Sequence, residues 1–196
     1  MFGLMIGLYA IFVSSAEAQC GMPAKAITTA RAAATNMRAN VESGQKPGAR
    51  TNSIVGPARP PVIIILPKPN IQSPVVGLWD VQFISGGEVV DEGFDQYHAD
   101  GTEILNDTPP PATGNVCLGV YEATSTQSIK LRHPSWIFDS TNTVAIAKAI
   151  ILESVTVDKS GNTFTGTFTI QFVDLDGNPL GPDLTGTLKG TRITAD

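Results

Sequence analysis

From Val75 onward the chain alternates apolar and polar residues in short runs. The run 163–173 is the clearest, with Phe164, Phe168, Ile170 and Phe172 set against Thr163, Thr165, Thr167, Thr169 and Gln171. A period of two buries one face of a strand and leaves the other to water. The same reading gives eight strands: 76–85, 88–98, 102–106, 116–125, 128–133, a run 136–139 that resumes after a break through 143–157, then 163–173 and 184–194. Turn-forming residues divide them, among them Gly86-Gly87, Asp100-Gly101, Ser160-Gly161-Asn162 and Asp176-Gly177-Asn178-Pro179. Hairpin spacing with no intervening helical pattern predicts an all-β domain, an eight-stranded antiparallel up-and-down barrel over 75–196. Eight strands enclose an interior that is either filled by side chains or holds one small ligand.

The chain before Val75 reads differently. Residues 23–42 are rich in alanine, and Ile27, Ala30, Ala34, Met37 and Val41 follow helical spacing up to a stop at Gly44. Residues 43–74 carry seven prolines and, within them, the β-prone run Val62–Leu66, expected to dock on the barrel or add to its edge. At the start, an apolar run from Phe2 to Val13 leads to Ala16-Glu17-Ala18, the small-residue pattern of a signal-peptide cleavage site. The expected organisation is a signal peptide over 1–18, a basic helix and Pro-rich linker over 19–74, and the barrel, in a secreted or periplasmic protein. The apolar run is shorter than the roughly 20 residues of a membrane anchor, so no transmembrane anchor is expected.

Charge divides along the same boundary. Residues 19–71 hold seven basic residues against one acid, and residues 72–196 hold six against sixteen. A basic tail suits weak contact with an anionic envelope surface. Its charges are scattered and lack interleaved aromatics, which argues against nucleic acid as a partner. The two cysteines left after cleavage, Cys20 and Cys117, have two readings: a disulfide in an oxidising compartment, or separate thiols with Cys117 buried as a small apolar residue.

Two short motifs carry a resemblance. The first strand opens Gly77-Leu78-Trp79 and the last closes Gly190-Thr191-Arg192; with Tyr97-His98-Ala99-Asp100-Gly101-Thr102 and Thr165-Gly166-Thr167, these phrases resemble lipocalin-like (calycin) barrels of bacterial exported proteins. Barrels related to allene oxide cyclase and dirigent proteins share that general shape. The resemblance implies that Arg192 lies across Trp79 and closes one end of the barrel. A guanidinium over an indole contributes roughly 0.5–2 kcal/mol.

No nucleophile elbow, zinc-protease helix, paired C-x-x-C or phosphate-binding glycine loop is present, and no cofactor is expected. His98 and His133 fall near turns without a third ligand at metal-binding spacing, so no metal site is expected, and His133-Pro134 reads as an exposed strand end. Asp174, Asp176 and Asn178 imitate a calcium loop, but a hairpin turn accounts for them. Charges on apolar runs are the remaining candidates: Glu122 after Tyr121, Lys148 beside Ile146 and Ile150, and Glu153 beside Ile151 and Val155. Glu122 and Lys148 are expected to face water; turned inward, either becomes an acid or base through desolvation.

Three functions fit these features. The leading one is a non-enzymatic barrel holding a small apolar molecule against Phe83, Tyr97, Tyr121, Phe168 and Phe172. The second is a cofactor-free isomerase or cyclase of the allene oxide cyclase-like type, with Glu122, Tyr97 and His98 as candidate catalytic residues. The third is a structural envelope module with a solid barrel.

Overall fold

A computed structural model describes residues 24–42, 73–109, 111 and 114–196. The expected signal peptide, Cys20, the Pro-rich linker and the run Val62–Leu66 lie outside the described residues. A helix, α1 (Ala24–Glu42), precedes eight strands: β1 (Gly77–Ser85), β2 (Glu88–Tyr97), β3 (Thr102–Asp107), β4 (Val116–Ala123), β5 (Ser128–Phe138), β6 (Ala145–Val157), β7 (Thr163–Val173) and β8 (Leu184–Ile193). Each strand pairs antiparallel with its sequence neighbour, and β1 pairs with β8, so the sheet closes into an up-and-down barrel. Closure leaves no free sheet edge within the barrel.

One boundary differs from the sequence reading. Strand β5 runs unbroken from Ser128 to Phe138, through His133-Pro134, and the interruption falls at the 139–144 turn before β6. The β4–β5 ladder ends at Val120↔Arg132, two residues before Pro134, so that edge of β5 has little hydrogen bonding for a proline to disrupt. The turn is held by Asp139, whose carboxylate accepts from the Thr141 hydroxyl and the Thr143 N–H. The Asp174-Asp176-Asn178 segment is likewise a turn, with the Asp174 carboxylate accepting from the N–H groups of Asp176 and Asn178.

The Trp79 end is closed by groups from both ends of the barrel's sequence. Trp79 Nε1 donates to Val75 O at 2.7 Å, and the Arg192 guanidinium carbon sits 4.1 Å from the centre of the indole. The same guanidinium donates to the carbonyls of Pro74, Val76 and Gly161 at 2.6–2.8 Å, a fork that a lysine could not reproduce. Gly77 makes this possible twice over. Its φ of 136° is poorly suited to other residues, and a Cβ there would collide with Arg192 Nη1. The opposite rim carries α1, which buries Ile27, Ala30 and Ala34 and packs against β5 and β6. Arg31 and Arg38 donate to Asn142 Oδ1 and Ala145 O at that rim.

Aromatic rings meet across the interior. Trp79 packs on Phe164 at 4.8 Å, Phe83 on Phe168 at 5.5 Å, and Tyr97 on Tyr121 at 5.5 Å. Phe164 and Phe168 lie over Gly190 and Gly186 of the facing strand, in the space a Cβ would need. Rings over backbone at both levels give tight packing where β1, β7 and β8 adjoin.

Candidate functional site

On β2, β3 and β4 the usual polarity of a strand is inverted. Asp91, Asp95, Glu103 and Asp107 point inward and are at least 95% buried, while Phe94, Ile104, Val116, Leu118 and Val120 are exposed on the outer wall. Opposite them, His133 of β5 and Glu153 of β6 also face in. His133, expected at an exposed strand end, is instead 0% exposed at the middle of the lumen, because β5 continues past it with its phase intact.

The register assembles these groups. Tyr97 pairs with Glu103 across β2–β3, and Glu103 pairs with Gly119 across β3–β4. Gly119 has no side chain, so Glu103 reaches over β4 to His133, with Oε2 3.4 Å from Nδ1. A Cβ at position 119 would collide with that carboxylate and come within 2.9 Å of the His133 Cβ and Leu131 Cδ1. On the other side His133 Nε2 is 3.5 Å from Glu153 Oε1. The result is a carboxyl–imidazole–carboxyl bridge from β3 to β6, with Asp95 and Tyr97 beside Glu103. Asp95, Tyr97 and Glu103 lie close enough for their side chains to share protons, yet no hydrogen bond of ordinary geometry reaches Asp95 Oδ1, Tyr97 Oη, Glu103 Oε1 or Glu153 Oε1 among the described residues.

Electrostatics follow from burial. Desolvation pushes the Glu103 carboxyl up to about 7. It pushes Glu153 up to about 8, opposed by the His133 charge and reinforced by Asp95 and Glu103. Asp95 is raised well above the carboxylate range by burial first and the neighbouring Glu103 second, and the Tyr97 phenol is raised by burial and then by Asp95. Groups that titrate near neutrality inside an enclosed space can accept or donate protons at physiological pH.

Of the residues singled out from sequence, Phe83, Tyr97, Tyr121, Phe168 and Phe172 point inward. Tyr121 donates its hydroxyl to His98 O, which fixes the β2–β3 turn at the Trp79 end. His98 is half-buried on that turn, away from the lumen's centre. Glu122 faces out, paired across β4–β5 with Lys130 beside an outer groove of about 560 Å³ that Val120, Arg132, Leu152 and Thr169 also line. Lys148 also faces out, donating to Leu175 O at 2.9 Å. The structure therefore brings Tyr97 together with Asp95, Glu103, His133 and Glu153, and leaves Glu122 and His98 apart from them.

Cys117 is buried at 1% exposure and disulfide-bonded; Cys20, the one other cysteine of the chain, lies outside the described residues. No group of three or more His, Cys, Asp or Glu among the described residues has metal-binding geometry. No protein-family model matches the chain, and no curated protein matches it.

Proposed function

We propose that this protein is an exported small-molecule-binding barrel whose ligand sits in the lumen against Asp95, Tyr97, Glu103, His133 and Glu153. The observation that carries this reading is the cluster of buried carboxyls, phenol and imidazole at the centre of a closed barrel, where several oxygens lack a hydrogen bond of ordinary geometry. Each such group costs roughly 1–3 kcal/mol of stability. A purely structural barrel gains nothing from them, since apolar side chains of similar volume commonly stabilise as well or better. The aromatic rings on either side supply apolar contact, and the acidic centre supplies orientation. The ligand is thus apolar in its body and polar at one point, a change from the wholly apolar molecule expected from the ring positions alone. Export agrees with the N-terminal pattern and with a disulfide at Cys117, a bond that persists in oxidising compartments. The lipocalin-like resemblance, carried by Gly77, Trp79 and Arg192, points to the same use of the barrel.

Native mass spectrometry of protein purified from its own host tests this directly. A non-covalent adduct is expected that is lost or weakened in Glu153→Gln. An adduct-free barrel, together with no shift in melting temperature across a small-molecule library, would remove the binding reading. A second function, cofactor-free isomerisation, is favoured by one specific observation: the buried Glu103–His133–Glu153 bridge, whose carboxyls burial pushes up to about 7 and about 8, the range suited to moving a proton at physiological pH. Turnover of a bound ligand that is lost in His133→Gln would favour that function over storage or transport.

A further inference from the structure

One wall of the barrel carries an apolar face that the described residues leave open. Of the eleven large apolar side chains exposed among them, six lie here: Phe94, Ile104, Val116, Leu118, Val120 and Trp136 are 39–61% exposed on the outside of β2 to β5. Ile104 and Leu118 face each other across β3–β4, and Asn106, beside Val116, has its side-chain oxygen taken by Asn115. Together the six present roughly 600 Å² to water, at the upper limit of the largest apolar patch on a typical monomer. The wall made by β6 to β8 differs, with Thr156, Thr165, Thr167 and Thr187 turned outward.

This face runs between two fixed points of the chain. Trp136 stands two residues short of the end of β5, below the 139–144 turn where Arg31 and Arg38 of α1 are anchored to Asn142 and Ala145. Val120 stands beside the 98–101 turn, at the end where Arg192 and Trp79 hold the carbonyls of Pro74, Val75 and Val76. Residues 43–72, which lie outside the described residues, join α1 at the first rim to Ser73 at the second. Rings that meet across the lumen leave the outer surface as the route. A coil of that length spans roughly 30 Å, and strands inclined in an eight-stranded barrel rise roughly 25 Å. The connection thus matches the height of the wall.

We infer that Val62–Leu66, the apolar run within this connection, docks on the outer wall of β3 to β5 over Ile104, Leu118, Val120 and Trp136. The run is apolar at every position, and Lys46, Arg50, Arg59 and Lys68 make the rest of the connection positive with no acid. The barrel carries the opposite charge, sixteen acids against six bases over residues 72–196. β1 and β8 pair with each other, so no terminal strand is left for the run to extend, and the wall is where it can bury. The competing occupant is a second copy of the chain, and local concentration decides between them. A segment tethered at both ends, with a length matched to its span, meets the wall at an effective concentration on the order of millimolar. A second copy at micromolar concentration meets it about a thousandfold less often. This concerns the outside of the barrel and stands apart from any ligand in the lumen.

Tryptophan emission reads the wall directly. The chain has two tryptophans: Trp79 is 0% exposed, and Trp136 is 55% exposed on this face. Acrylamide quenching of the purified protein, its disulfide intact, should find Trp136 shielded to the same degree from submicromolar to high micromolar protein. The double substitution Ile63→Asp/Ile65→Asp should red-shift the emission and open Trp136 to the quencher. Leu118→Asp should do the same from the wall side, at an already exposed position, and serves alone should the double variant not fold. Near-ultraviolet circular dichroism from the buried rings checks that each variant keeps its core. A Trp136 open to quencher in the wild-type protein would overturn the inference. Shielding that survives the substitutions would also overturn it. Shielding that develops only as protein concentration rises, together with a sedimenting dimer, would give the wall to a second copy instead.

Discussion

Replacing Gly119 by alanine probes how the lumen's polar bridge is built. The added methyl would occupy the path by which Glu103 crosses β4, colliding with its Oε2 and lying 2.9 Å from both the His133 Cβ and Leu131 Cδ1. Ordinary contact between such atoms begins near 3.5 Å, and backbone pairing on both sides of β4 resists a shift. The carboxylate must therefore swing away from the imidazole, which removes the 3.4 Å contact and strands two buried groups. Overpacking alone costs roughly 1–3 kcal/mol, and a stranded polar group costs a similar amount. For a domain of this size the melting temperature should fall by roughly 2–5 °C per kcal/mol. Urea denaturation should show a midpoint lower by roughly 1 M with an unchanged slope. Gly181→Ala is the control, because a Cβ there meets nothing within 4 Å. A Gly119→Ala protein within about 0.5 kcal/mol of wild type would refute the claim that this glycine makes room for the Glu103–His133 contact.

The buried carboxyls also predict the pH profile. Glu103 and Glu153 have folded-state pKa values of about 7 and 8, above those of an unfolded chain, so the folded state holds the extra protons. Their contribution is fully present below about pH 4.5, declines as pH rises toward 8, and is absent above, with a slope of at most about 1.4 kcal/mol per pH unit per group. Thermal melts across this range should show Glu153→Gln with the flatter profile, and parallel curves would count against a buried, raised Glu153. Arg192→Lys should lower stability by roughly 1–3 kcal/mol in the same melts, because an ammonium cannot serve three carbonyls and cover the indole in one geometry. Glu122→Gln should leave both stability and ligand binding unchanged, since this side chain is on the outer wall.

The barrel itself was written plainly in the chain. The period of two in β7 and the turn residues between runs follow from local geometry, and the closing pair of Trp79 and Arg192 occupies the ends of the strands that must meet. The acidic centre was harder to see, because on β2 to β4 the assumption that apolar residues face in fails. Ile104, Leu118 and Val120 point out, and their neighbours Glu103, Cys117, Gly119 and Tyr121 point in. A signal for it existed: once Tyr97 is taken as inward, a strict period of two carries Asp95, Gly93 and Asp91 inward with it. Glu153 was similarly in phase with Ile151 and Val155. His133 was hidden by Pro134, whose tolerance depends on where the β4–β5 ladder stops, a tertiary feature that spacing does not report. That Glu103 and His133 touch at all depends on the absent side chain at Gly119, between them on a third strand.

A carbon-13 NMR titration of the side-chain carboxyls measures the central property of this lumen most directly. In the unliganded protein, Glu103 and Glu153 should titrate with apparent values near 7 and 8, far from the exposed Glu122. Carboxyls at 103 and 153 that ionise near 4.3, as in unstructured peptides, would contradict the account.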